Sequence, residues 1–304
     1  MKSRLAAAIF ATDRARRSTA PRRPKLTDES AFGYPRDFMD NQFVYLLISP
    51  RAHGLSIGVN LNPHADCNLE CAYCEINLSR GARSDDLELD RMVIELEQTL
   101  ELAEGGWLRQ WPRYAKLPKE LMQIRHVALS GDGEPTLSRH FLEAARAVVQ
   151  LRQRGRPYKI VLVTNSTALD RPQAQEGIAL LSPGDELWAK LEAGTQEYQN
   201  RISGCGVPLE KILANILLVA RRRPVVIQSL FPEINGEEPP DEEINEYAIR
   251  LRELKRAGAQ ISLVQIYSAT RPMARAGCSH LPLRTLSEIA QTVRRVSGLR
   301  AEVF

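Results

Sequence analysis

From about residue 55 onward, short runs rich in Val, Ile and Leu alternate with segments whose apolar residues recur at helical spacing. The strand-like runs are 55–60, 124–130, 159–164, 186–192, 224–231 and 260–267. They are nearly continuous in apolar residues, as strands buried on both faces are. Helical patterns lie between them at 87–104, 138–154, 173–181, 209–222, 242–257 and 285–297. In the first, Leu89, Met92, Val93, Leu96, Leu100 and Ala103 fall near a 3.6-residue period, and the last two stop at Gly258 and Gly298. Six successive βα units dictate one parallel sheet with right-handed crossovers. Six is short of the eight that close a TIM barrel. The sequence therefore predicts an α/β fold, a partial (β/α)6 TIM-like barrel, with an open doubly wound sheet as the alternative. In both, ligand chemistry collects at the carboxyl ends of the strands. The stretch 234–241 (INGEEPPD) reads as a polar loop after the fifth strand.

Residues 31–304 read as one domain, while 1–30 have no clear periodicity and read as a basic flexible N-terminal tail. Residues 1–25 hold eight Lys or Arg against one acid, Asp13, for +7, while the remainder has 33 basic against 36 acidic side chains. Such a tail suits RNA or an acidic partner, or is simply a solvated terminus. The apolar patch at 5–11 resembles the start of a targeting peptide, but arginines follow it in place of a small-residue cleavage site. No apolar run approaches the roughly 18 residues of a membrane span, so a soluble, cytoplasmic protein without membrane contact is expected.

Five cysteines are too few for a disulfide scaffold, and Cys67, Cys71 and Cys74 lie within eight residues. Metal binding in a reducing compartment is the better reading. The spacing is C-x3-C-x2-C, on the loop just after the first strand run, where a barrel carries its site. Three thiolates on one tight loop can hold three irons of a cubane [4Fe-4S] cluster and leave the fourth iron open to a substrate or cofactor. Two other readings stay open: a zinc site with His64 as fourth ligand, and a non-catalytic electron-transfer cluster, which would want a fourth cysteine. Cys205 and Cys278 read as ordinary thiols, and His53, His64, His126, His140 and His280 form no ligand pattern with their neighbours.

An aromatic residue, Tyr73, immediately before the third cysteine makes this segment resemble the radical S-adenosylmethionine (SAM) superfamily. The likeness extends to 130–137 (SGDGEPTL), 163–167 (VTNST), 188–195 (WAKLEAGT) and 265–272 (QIYSATRP), and covers roughly residues 45–275. It is greatest to the branch that includes the wyosine-type tRNA-modifying enzymes and their bacterial relatives. The resemblance implies a radical SAM core in which Cys67, Cys71 and Cys74 hold a [4Fe-4S] cluster. S-adenosyl-L-methionine chelates the open iron through its amino nitrogen and carboxylate oxygen. One electron then cleaves the sulfur–C5′ bond to a 5′-deoxyadenosyl radical, which takes a hydrogen atom from substrate; the hard chemistry belongs to the cofactors.

On this reading Tyr73 turns its backbone toward the adenine. The turn Gly131, Asp132, Gly133, Glu134 allows close backbone approach, and its carbonyls accept from the SAM ammonium; the plainer reading is a strand-to-helix turn capped by Glu134. Thr164 and Asn165 reach the amino-acid part or the ribose hydroxyls. Lys190 and Glu192 share one strand face. They serve the SAM carboxylate and the ribose, or pair with each other inside the lumen. Gln228 is a weaker candidate of the same kind, and Arg271 would bind an anionic group. No side chain is singled out as acid, base or nucleophile. The wyosine-forming enzymes carry a second cluster on cysteines preceding the motif, and no Cys precedes Cys67 here, which speaks against pyruvate-dependent ring building. An external one-electron reductant of flavodoxin or ferredoxin type is implied. The branch and the basic tail point to a nucleoside or RNA substrate. A glycyl-radical-enzyme-type activating enzyme and a non-catalytic cluster- or zinc-binding protein are the alternatives.

Overall fold

In chain order the strands are β1 (Val44–Ser49), β2 (Gly54–Val59), β3 (Ile124–Leu129), β4 (Lys159–Thr164), β5 (Glu186–Lys190), β6 (Val225–Leu230), β7 (Pro232–Ile234), β8 (Ile261–Tyr267), β9 (Cys278–His280) and β10 (Ala301–Val303). The computed structural model describes residues 38–63, 67–76, 87–204, 206–269 and 277–304. The tail at 1–30, His64, Cys205 and Arg271 lie outside the described residues. Eight strands form one sheet in the order β1-β2-β3-β4-β5-β6-β8-β10, and β7 pairs with β9 apart from it. From β2 to β10 the neighbours are parallel; β1 runs antiparallel to β2 through a tight hairpin.

The sheet curls until its two edges meet. His53, in the β1–β2 turn, lies 6.0 Å from the Phe304 ring beyond β10, and the Arg51 guanidinium lies 4.2 Å from the Tyr267 ring at the end of β8. Contacts between opposite edges belong to a partial barrel and exclude the flat, doubly wound alternative.

The helices are α1 (Leu89–Glu104), α2 (Pro112–Ala115), α3 (Phe141–Gln153), α4 (Pro172–Ala179), α5 (Gln196–Ser203), α6 (Leu209–Ala220), α7 (Asp241–Arg256) and α8 (Leu283–Ser297). Their apolar faces cover the outer side of the sheet. Met92, Leu96 and Leu100 of α1, Phe141 and Val148 of α3, and Tyr247 and Leu251 of α7 are fully buried there, against outward residues such as Ile57, Leu162 and Ile227. The next residue along each of several strands points the other way. Ala128, Val161, Trp188 and Val226 form a separate cluster that fills the lumen floor.

His126 belongs to that floor. Its Nε2 lies 2.8 Å from Ser56 Oγ, and its ring stands edge-on to Trp188 at 5.4 Å. Burial pushes its pKa down to about 4. The unfolded chain takes up this proton near pH 6.5 and the folded one does not, so stability is complete above that pH and is lost as pH falls toward 4. Between pH 7 and pH 5 the residue is expected to cost about 2 kcal/mol of unfolding free energy. Urea denaturation at the two pH values checks this: His126→Leu flattens the profile by that amount, and equal slopes in wild type and variant would contradict it.

Beyond the six predicted strands the structure adds β1 and β10 at the edges, and α5 between β5 and α6. The eight-residue α5 is polar (QEYQNRIS) and starts at Thr195, whose Oγ1 accepts from the Tyr198 N–H at 3.2 Å.

Candidate active site

The chain leaves β2 at Asn60, whose Oδ1 accepts from the backbone N–H groups of Asn62 and Asp132 at 3.0 and 3.1 Å. One amide thus joins the loop after β2 to the loop after β3. Gly131 lies against it with φ +144°, and a Cβ there would fall 2.4 Å from Asn60 Oδ1, so only glycine fits. The cysteine loop then crosses the mouth and docks on the end of α5. Glu70 N–H donates to Ser203 O at 2.7 Å and Ala72 N–H to Ile202 O at 2.8 Å, and Cys74 N–H closes a turn on Cys71 O at 3.0 Å. On the other side Asn165 Nδ2 donates to Asn68 Oδ1 at 3.0 Å and lies 3.8 Å from Cys67 Sγ. Backbone and amide contacts hold this loop, with Asn165 Nδ2 donating weakly to Cys67 Sγ.

Cys67, Cys71 and Cys74 are half-buried and line a cavity of about 310 Å³ at the mouth, with Tyr73, the 130–134 turn, Thr164, Asn165, Lys190, Glu192 and Gln228. Every sequence-predicted site residue among the described residues is in this lining. Burial pushes the Cys67 thiol up to about 11 and raises Cys71 further, with Glu192 next in effect on Cys71. Ligation of a metal by these thiols therefore releases protons.

Glu134 is buried and its carboxylate is taken up by the protein. It accepts from the Thr136 N–H (3.0 Å), Thr136 Oγ1 (2.5 Å), Thr164 Oγ1 (2.7 Å) and the Asn165 N–H. Burial raises its pKa while these donors oppose the rise. It caps the turn after β3 and latches the end of β4 onto it. Thr164 Oγ1 also accepts from the Ser166 N–H at 3.0 Å, so both residues position the mouth.

Lys190 and Glu192 point into the lumen, as their alternation predicts, and they pair: Lys190 Nζ lies 3.3 Å from Glu192 Oε1 and donates to Tyr73 OH at 2.9 Å, and Tyr73 OH donates to Glu192 Oε2. Burial alone would lower the lysine pKa; the facing Glu192, with Tyr267 and Cys71, outweighs it, and the ammonium form is held. Glu192 Oε1 is buried without a well-aligned hydrogen bond. Beneath them Gln228 Nε2 donates to Gln265 Oε1 at 2.9 Å.

The donor chemistry suits an iron–sulfur cube with one open corner. Three soft thiols come from one loop and face a cavity, and among the described residues no fourth cysteine is in its lining: Cys278 lies on β9. Among the described residues no three His, Cys, Asp or Glu side chains surround a single ion. Asn60, Asn68 and Thr167, which tie the loops together, were not singled out by sequence; the Asn residues beside the strand end and Cys67 were the available signal.

The family model of the radical SAM superfamily matches residues 61–248. The chain belongs to this superfamily, a class of enzymes. A UPF0026 protein of Synechocystis sp. is 26% identical over 177 residues, and the match covers 57% of this chain and 57% of that relative. Among solved structures, SuiB of Streptococcus suis is similar with a TM-score of 0.53 at 14% identity, over 78% of this chain and 47% of its own. TYW1 with a lysine-pyruvate adduct bound is similar with a TM-score of 0.52 at 16% identity, over 84% of each chain. At these identities the two structures speak for the fold alone. No helix among the described residues is long and apolar enough to cross a membrane.

Proposed function

We propose that this chain holds a [4Fe-4S] cluster on Cys67, Cys71 and Cys74 and cleaves SAM reductively, with electrons from an external flavodoxin- or ferredoxin-type donor. The observation that carries this reading is the opening of three half-buried thiols onto one cavity whose other walls are the Gly131–Glu134 turn and the Lys190–Glu192 pair. When bound, the cluster and SAM supply the electron and the 5′-deoxyadenosyl radical.

The chain's own residues bind and orient. With Glu134 saturated by protein donors, the turn offers SAM its backbone carbonyls at 131–133, and Glu134 and Thr164 keep that turn in register. Lys190 supplies the positive charge for the SAM carboxylate, and Glu192 the acceptor for ribose hydroxyls, both steadied by Tyr73. Asn165 steadies the cysteine loop. Gln228 closes the lumen below, and Arg271 is a further candidate for an anionic group.

The test is anaerobic incubation of the reconstituted protein with SAM and dithionite. Formation of 5′-deoxyadenosine is expected; none above a protein-free control would contradict the reading. A nucleoside or RNA is the substrate class we favour, on the branch resemblance and the +7 charge of residues 1–25. Binding of RNA with a steep salt dependence, flattened by deleting 1–25, supports an RNA substrate; no RNA binding at low salt contradicts it.

A further inference from the structure

Among the described residues of the cavity, the charges of Glu134, Lys190 and Glu192 are matched, and that of Arg51 is not. Glu192 is matched by Lys190 and Tyr73, and Glu134 by four donors. Arg51 is half-buried in the β1–β2 turn and lines the same cavity beside Ser49, Ser56 and Tyr267. Its guanidinium stacks on the Tyr267 ring at 4.2 Å, and its Nε is buried with no hydrogen-bond partner. Among the described residues no carboxylate pairs with it.

Other arginines in this fold show what a purely structural role looks like. Arg152 pairs with Asp185 at 2.5 Å. Arg223 also has a buried Nε without a partner, but its terminal nitrogens donate to the carbonyls of Ile178, Leu181, Ser182 and Asp185. Arg250 binds Gly194 O, Glu246 and Glu253. Stacking on Tyr267 covers one face of the Arg51 plane, and among the described residues no acceptor takes its in-plane N–H fork, which matches a phosphate or carboxylate bidentately. A half-buried guanidinium with no carboxylate partner among the described residues is free to take its counter-charge from a ligand.

We infer that Arg51, backed by Tyr267, receives the anionic group of the substrate, a phosphate or a carboxylate, at the seam where the barrel edges meet. Arg51 lies on the edge hairpin before β2, whereas the cysteine loop and the 131–134 turn follow β2 and β3, so the anion is held in the same cavity but apart from the cofactor position. The inference rests on the proposed function for its meaning but has its own readout.

The experiment is calorimetric titration of the full chain, saturated with SAM, with inorganic phosphate and separately with acetate. Saturable binding of at least one anion is expected, weakened about tenfold in Arg51→Gln and much less in Arg51→Lys, with an intermediate loss in Tyr267→Leu. Preference for phosphate or for acetate identifies the group. Unchanged affinity in Arg51→Gln, absence of saturable binding by wild type, or loss of SAM affinity with anion binding intact would each overturn the assignment. If wild type forms 5′-deoxyadenosine yet binds neither anion, this inference fails while the radical SAM function stands; if it forms none, the function fails whatever the titration gives.

Discussion

Replacing Cys71 with Ala is expected to abolish SAM cleavage, lowering 5′-deoxyadenosine formation by at least about a hundredfold, or roughly 2.7 kcal/mol of transition-state stabilisation. The brown absorption of the reconstituted protein goes with it. The physical reason is the division of labour in the loop. Its backbone is fixed by Glu70 and Ala72 on α5 and by the turn from Cys74 to Cys71, and none of these bonds uses a cysteine sulfur. Removing one sulfur therefore leaves the fold standing and takes away one corner of the metal site. The circular dichroism and melting temperature of the variant should match wild type within a few degrees. Cys278, on β9 and outside the cavity lining, serves as the control, and Cys278→Ala should cleave SAM normally. Cleavage by Cys71→Ala at wild-type rate would contradict the assignment.

The largest stability effect is expected at Glu134. Glu134→Ala strands four donors, three of them buried: the N–H and hydroxyl of Thr136 and the Thr164 hydroxyl, with the half-buried Asn165 N–H. Each unsatisfied buried group costs about 1–3 kcal/mol, offset in part by release of a buried carboxylate. A net loss of about 4 kcal/mol follows, readable as a lower midpoint in urea at unchanged slope. Glu134→Gln keeps the volume and one acceptor oxygen and should lose about half as much. A loss below about 1 kcal/mol for the Ala variant would mean that the latch between β3 and β4 does not bear on stability. Because the same residue holds the turn at 131–133, SAM affinity should fall with stability.

Parallel strands buried on both faces write themselves as continuous Val, Ile and Leu runs, and β2 to β6 and β8 were legible for that reason. The edge strand β1 has a similar run at 43–49 (FVYLLIS), but it joins β2 through a four-residue hairpin, and a search for strand–helix units passes over it. β10 is three residues long, and α5 is short and polar with only Tyr198 and Ile202 as its buried apolar residues, so neither stands out in the sequence. In the site, the shared face of Lys190 and Glu192 follows from the two-residue alternation of a strand. Which of the two offered partners they take, each other or a ligand, depends on the distance to Tyr73, and sequence spacing does not give that distance. Glu134 shows the same limit: its turn was legible, but two of its four donors come from the end of β4. Arg51 was invisible because its neighbour Tyr267 is reached only when the sheet curls and its edges touch.

The open corner of the cluster is tested most directly by electron–nuclear double resonance on the reduced, reconstituted protein, with SAM isotopically labelled at its amino nitrogen. A hyperfine coupling between the cluster and that nitrogen is expected. A reduced cluster whose spectrum shows no such coupling at saturating SAM would mean that its fourth iron is closed to the methionine end, and that Cys67, Cys71 and Cys74 serve another chemistry.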